Sequence, residues 1–331
     1  MTEALLAYDP FGPALSPVAV LLLLTALGLY LRGQSRPARS RPPVTTVQTA
    51  FFLAGLGSIA LASNAPLAPL GHSLFSAHQV EHLTLRLLGP LLIALSRPWH
   101  LIHAALPRRW RRRVVSLRDR RLMRGLAHPA VATAMLIASL YVWQVPAAYA
   151  LAQKVPAVEL LAHMLMMATG LWYFAMLLDP RDPPEGQARG ARLMSGFVLI
   201  VSNILLGSLT TLKETVVYSD LHSLVWSGPL SPMADETIGG YTIWIPSSMI
   251  LIAAIIIVLN GWNAAEVRRW NARHDLIRGS NAAALEFPET AAELRLKVEK
   301  PNRDMGRTLA LGAFAMFLVV MTTLVTIVYA L

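Results

Sequence analysis

Leu74-Phe75-Ser76-Ala77-His78-Gln79-Val80-Glu81-His82-Leu83-Thr84-Leu85-Arg86-Leu87-Leu88-Gly89-Pro90-Leu91-Leu92-Ile93-Ala94-Leu95 decides how this chain folds. The stretch is long enough to cross a hydrocarbon core as a helix. Its ionisable residues are few and regularly placed. His78 and His82 are four apart, so they share one helical face, one turn above the other. Arg86 continues that stripe one turn deeper. Ionisable groups inside a membrane span are costly and usually mark function. A His-His-Arg stripe entering a bilayer points to a site for a metal, a cofactor or an anion.

The rest of the chain agrees with a membrane setting. It has 331 residues, 55% hydrophobic and 15% charged, with a mean hydropathy of +0.49. Apolar runs recur at about 14–31, 45–63, 74–95, 129–149, 157–178, 193–212, 238–260 and 308–330. The expected fold is an all-α polytopic bundle of about eight spans. Its predicted parts are a seven-span membrane domain (1–262), a basic segment, partly helical over 282–300 (263–306), and an additional C-terminal span (307–331). The first apolar run follows an acidic, Pro-containing start rather than a basic one, so it reads as a retained span and not a cleaved signal. With no cysteine, the chain can form neither disulfides nor thiolate sites.

Charge sets the expected orientation. Four Arg lie in 32–41, ten in 97–124, three in 181–192, and nine Lys or Arg in 268–307. The segments between them are nearly free of basic residues. The positive-inside rule places the basic segments in the cytoplasm and both termini outside. The net charge of +10 is thereby explained without nucleic acid. Arg108-Arg109-Trp110-Arg111-Arg112-Arg113 reads as an anchor on anionic lipid.

Orientation also sorts the nine histidines. His72, His78 and His82 fall at the outer start of the third span, His163 at the outer start of the fifth, and His222 in the long outer connection. His100, His103, His128 and His274 fall on the inner side. His82 and His163 are each roughly six to nine residues into their spans, about 10 Å deep. Glu159 precedes His163 by one turn. His78, His82 and His163 are therefore the first candidates for a shared site, with His72, Glu159, Met164, Met167 and His222 as further ligands or supporting groups. Thioether sulfur suits Cu(I), although Met is also a common filler of apolar cores. Arg86, with no carboxylate at its depth, finds its best protein partner in Asn203; an anion or haem propionate is the alternative.

The motifs resemble a known family. His72 through Leu83, followed by Leu88-Gly89-Pro90-Leu91-Leu92, is similar to the H-x-L-F-S-x-H-M-x-x-H-L and A-P-L-L pattern of the CtaG family of cytochrome c oxidase assembly factors. Val142-Trp143-Gln144-Val145-Pro146 with Tyr149 resembles its L-W-H-x-P-x-x-Y. Glu159-Leu160-Leu161-Ala162-His163 resembles H-x-x-E-H. Ala234-Asp235-Glu236-Thr237-Ile238-Gly239-Gly240 with Ile243-Trp244-Ile245-Pro246 resembles D-Q-x-x-G-G-x-x-M-W-x-P. The four matches occur in order over about residues 15–262.

The resemblance implies a non-enzymatic assembly factor of the bacterial cytoplasmic membrane, a copper metallochaperone of the respiratory chain. Copper would bind at the outer, periplasmic face. Haem–copper oxidase subunits, and periplasmic copper chaperones, would be its partners. The family's histidines fall on His78, His82 and His163, and its acid on Asp235. Two family histidine positions carry Gln144 and Glu159 here. Two other readings stay open: a metal-free accessory subunit of an oxidase complex, and a haem b electron carrier using imidazoles at matched depth.

Overall fold

A computed structural model describes residues 17–36, 44–64, 67–118, 125, 126, 128–181, 186–218, 230–277, and scattered positions between 299 and 322. His222 and most of the predicted eighth span and basic segment lie outside the described residues. Those residues form two compact units, one within Met1–Ile255 and one within Ile256–Leu331. The first holds every contact discussed below; α12, the last element, begins in it and runs past its end.

Helices α1 (Pro17–Gln34), α2 (Thr46–Ala62) and α3 (Leu67–Gly71) lead to the stretch that opened the reading. That stretch runs without a gap through α4 (Phe75–Leu83), a π-helical turn (Thr84–Leu88) and α5 (Gly89–Leu95). Then follow α6 (Trp99–Ala105), α7 (Arg108–Arg118), α8 (Pro129–Gln144), α9 (Pro146–Lys154), α10 (Pro156–Leu177), α11 (Arg189–Leu212) and α12 (Pro232–Ile277). Four of these, α1, α10, α11 and α12, are long and apolar enough to cross a membrane. The pair α8–α9 makes a fifth if counted as one broken span, and α2 is a shorter apolar helix.

The predicted fourth span does not run straight over 129–149. It breaks at Val145, and α8 and α9 meet at 77°. Pro146 is the cause: its ring pushes the preceding residue into extended backbone, and Val145 sits at φ −68°, ψ 124°. At the other end of α8, His128 accepts a hydrogen bond from the Ala130 amide at 3.2 Å, with Pro129 in the first turn. His128 is thus a helix cap.

The polar residues are inside and many apolar ones outside. Arg86, Asn203, Ser195, Ser202 and Thr133 are buried, while Leu21, Leu24, Leu161, Met249 and Ile252 are exposed. A water-soluble domain of this size would expose such residues only singly; in hydrocarbon they are at home. The π turn and α5 form the centre, packed between α2 and α10. Tyr30 of α1 stacks on Phe52 of α2, centroids 3.9 Å apart, and heads the apolar cluster that includes Ile59 and Leu85.

Gly170 shows how tight the centre is. A β-carbon there would collide with the Arg86 carbonyl oxygen and lie 2.9 Å from Pro90 Cγ. Gly170→Ala must therefore push α10 off the π turn. Overpacking of this kind costs about 1–3 kcal/mol. The expected result is a lower midpoint in denaturant titration of the detergent-solubilised protein; an unchanged midpoint would refute the close packing.

Candidate functional site

The first turn of α4 is set by a residue far away in sequence. Asp235, near the start of α12, accepts from the Phe75 amide at 2.7 Å and the Ser76 amide at 3.1 Å, and from the Ser76 hydroxyl. Leu74 stands at the N-cap and cannot make these bonds itself. A carboxylate is the best partner for the unpaired amides of a helix start. The neighbouring Glu236 accepts from the Val217 amide at 3.1 Å and the Tyr218 amide at 2.8 Å, and pairs with Lys213. Burial pulls the Lys213 ammonium down to about 8. Two adjacent acids thus tie α4 and the segment after α11 to one helix start.

With α4 so held, the predicted imidazoles come together. His78 and His82 have ring centroids 4.1 Å apart. His163 of α10 lies 6.3 Å from His78 and 5.7 Å from His82. The depth match between the third and fifth spans therefore corresponds to real proximity. Glu81 joins them: its Oε2 is 3.7 Å from His78 Nδ1 and its Oε1 3.5 Å from His163 Nδ1. By angle alone, Glu81 faces away from the His78/His82 stripe, toward a neighbouring helix. It does reach α10, but there it meets His163 and closes the group. Gly71 makes the room, since a β-carbon there would sit 2.8 Å from Glu81 Oε2.

His78 Nδ1, His82 Nδ1 and His163 Nε2 are buried and have no hydrogen-bond partner. Unpaired buried nitrogens in one cluster are costly. Among the described residues, no three His, Asp or Glu side chains are already drawn close enough to enclose a metal ion.

Around this group sits a shell of amides and phenols. Gln144 donates to Gln79 at 2.7 Å, and the Tyr218 hydroxyl donates to the Gln144 carbonyl at 2.7 Å. Phe75, Tyr149 and Tyr218 pack as one aromatic cluster, with His78 edge-on to Tyr149 at 5.2 Å. At the start of α10, His72 Nδ1 is 2.9 Å from Gln153 Oε1, and His72 Nε2 is 3.4 Å from Glu159 Oε1.

The remaining predicted residues divide. Asp235 binds backbone at the helix start. Met167 packs against the cluster headed by Tyr30. Met164 is half-buried. Arg86 does not continue the histidine stripe: its guanidinium donates to Asn203 at 3.0 Å and to the Leu136 carbonyl at 3.4 Å. The wider π turn is the reason, because it carries Arg86 toward α8 and α11 while the imidazoles meet α10. Asn203 is the partner that depth matching selects. The reading of Glu81 as a contact to a neighbouring helix does not extend to its place between His78 and His163, and Gly71 and the pair Lys213–Glu236 carry no sequence signal. The i, i+3 spacing of His78 and Glu81 was the available signal for Glu81.

Comparison with known proteins agrees on the family. A family model described as cytochrome c oxidase caa3 assembly factor matches residues 28–265. An uncharacterized protein of Mycobacterium bovis is 26% identical over 257 residues, which is 74% of this chain and 38% of the relative. An uncharacterized protein of Mycobacterium tuberculosis gives the same figures. One from Mycobacterium leprae is 23% identical over 248 residues, 70% of this chain and 37% of the relative. The chain thus spans well under half the length of these curated relatives. No solved structure matches it.

Proposed function

The chain belongs to the cytochrome c oxidase caa3 assembly factors, and from that premise we propose that it carries copper for an oxidase during its assembly. The observation that supports this is the cluster of three imidazoles with buried, unpaired nitrogens around one carboxylate. Imidazole suits copper in either oxidation state better than it suits hard cations. His78, His82 and His163 are the ligands. Glu81, with its oxygens 3.7 Å from His78 Nδ1 and 3.5 Å from His163 Nδ1, supplies a negative charge beside the cation, as carboxylates near metal-bound histidines commonly do. Gln144 and Gln79 bond each other and keep the wall of the site polar without ligating.

The ion enters and leaves by ligand exchange, so no bond-making step of the chain's own is involved and it acts as a carrier rather than an enzyme. The histidine end faces the periplasm, where copper chaperones deliver and the client oxidase subunits receive. The arginines of α7 rest on anionic lipid at the other face.

The test is copper and iron analysis of the detergent-purified parent beside a His78→Ala/His82→Ala variant. It is paired with the copper content of the oxidase made in cells carrying each. The expected result is copper in the parent, none in the variant, and an oxidase short of copper. Iron with a Soret band would replace copper by haem b. A parent that stays metal-free after loading, with normal oxidase copper, would leave a metal-free accessory subunit, the reading that the open spacing of the donors favours.

A further inference from the structure

His72 and Glu159 lie outside the three-imidazole cluster, and their placement relative to it is ordered. Side-chain exposure falls from 47% at His72 to 17% at Glu159, 12% at His163, and 4% at His78, with Glu81 at 2%. Ion-pair distances link His72 to Glu159 and link His163 and His78 each to Glu81, and helix spacing links Glu159 to His163. His72 Nε2 is 3.4 Å from Glu159 Oε1. Glu159 and His163 are one turn apart on α10 and share a face. His163 Nδ1 is 3.5 Å from Glu81 Oε1, whose other oxygen is 3.7 Å from His78 Nδ1. An imidazole or a carboxylate thus stands at every stage from solvent to the buried group. A half-exposed His–Glu contact stabilises a fold little, so stability does not account for this arrangement.

We propose that His72 and Glu159 form a capture site for a divalent transition cation, copper(II) or zinc, from which the ion passes through His163 to the Glu81–His78–His82 group. This rests on the cargo reading above. A hydrated cation loses water to His72 Nε2 and a Glu159 oxygen as their mutual contact opens. It then exchanges His72 for His163, then Glu159 for the Glu81 carboxylate and the deeper imidazoles. Charge is conserved at each exchange and no electron moves. One carboxylate and one imidazole without sulfur select a borderline divalent ion over Cu(I). Gln153 orients the capture site, since its amide oxygen holds His72 Nδ1 at 2.9 Å and leaves Nε2 toward Glu159.

A capture site on the path, but outside the resting place, changes rates without changing the final affinity. The experiment uses the full chain in detergent and a buffered copper(II)–glycine complex. Loading is timed by rapid mixing, release by a chelator, and the equilibrium constant is measured separately. His72→Ala/Glu159→Gln should slow loading about tenfold, the lower end of what a charged funnel contributes. Release should slow by the same factor and the equilibrium constant should hold. Thermal unfolding of the variant without metal controls for folding, and His72→Gln with Glu159 intact should give an intermediate rate. Unchanged loading in the double variant overturns the capture site, as does a weaker equilibrium constant at an unchanged loading rate. A parent that binds no copper(II) at all overturns the cargo reading itself, a separate outcome from either.

Discussion

Asp235→Ala will lower the stability of the detergent-solubilised protein by about 3 kcal/mol, because three hydrogen bonds to a charged acceptor are lost at a helix start that has no other cap. Both carboxylate oxygens are engaged by Phe75 and Ser76. Leu74 offers no substitute. Asp235→Asn keeps one acceptor and should lose roughly half as much. Fraying of the first turn of α4 moves His78 before it moves His82, so copper retention should fall in the alanine variant even below its unfolding transition. Denaturant titration and copper analysis of the same samples check both parts. A full loss of copper with an unchanged midpoint would instead make Asp235 a ligand and remove its capping role.

Asn203→Leu should be nearly as damaging. It leaves the Arg86 guanidinium, 2% exposed, with only the longer bond to the Leu136 carbonyl. Stranding a buried charged donor costs about 3 kcal/mol. Adding Arg86→Met to that variant should recover much of the loss, since two apolar groups in place of two polar ones leave nothing unsatisfied. The double-mutant cycle is the measurement: non-additivity of about 2 kcal/mol is expected for groups in direct contact. Simple additivity would mean that the two side chains do not bond one another in the membrane.

Much of this was readable from residue order. Apolar runs and proline punctuation located α1, α2, the central α4–α5 stretch, α8, α10, α11 and the apolar part of α12, but not α3, α6 and α7 in the connections. Equal depth of His82 and His163 correctly paired the third and fifth apolar runs, and the same reasoning paired Arg86 with Asn203. What remained hidden shares a cause. Depth says which residues lie at one level but not which way a helix is turned. So residue order aims Glu81 at a neighbouring helix without selecting His163, and it does not separate Met167, which packs beside the Tyr30 cluster, from a ligand. Asp235 was selected only by resemblance; its task depends on α12 starting beside α4, a tertiary fact. The bend at Val145 was legible in principle, since Pro146 announces it, yet an apolar run continuing to Tyr149 masked the break.

The π turn at Thr84–Leu88 has a consequence for how this protein tolerates change. Such a turn holds one residue more than an α-helical turn would, and each helical residue turns the chain by about 100°. The wide turn absorbs that extra residue, so the two halves of the central helix face as they would in a regular helix one residue shorter. Substitutions within 84–88 leave the phase intact. A one-residue deletion there would turn the bulge into a regular turn and keep His78, Glu81 and His82 facing His163, with α5 still seated against α2. What it would take away is the wide turn that carries Arg86 to Asn203, so the buried side chains of 84–87 are held to their identity more strictly than the stretch is held to its length.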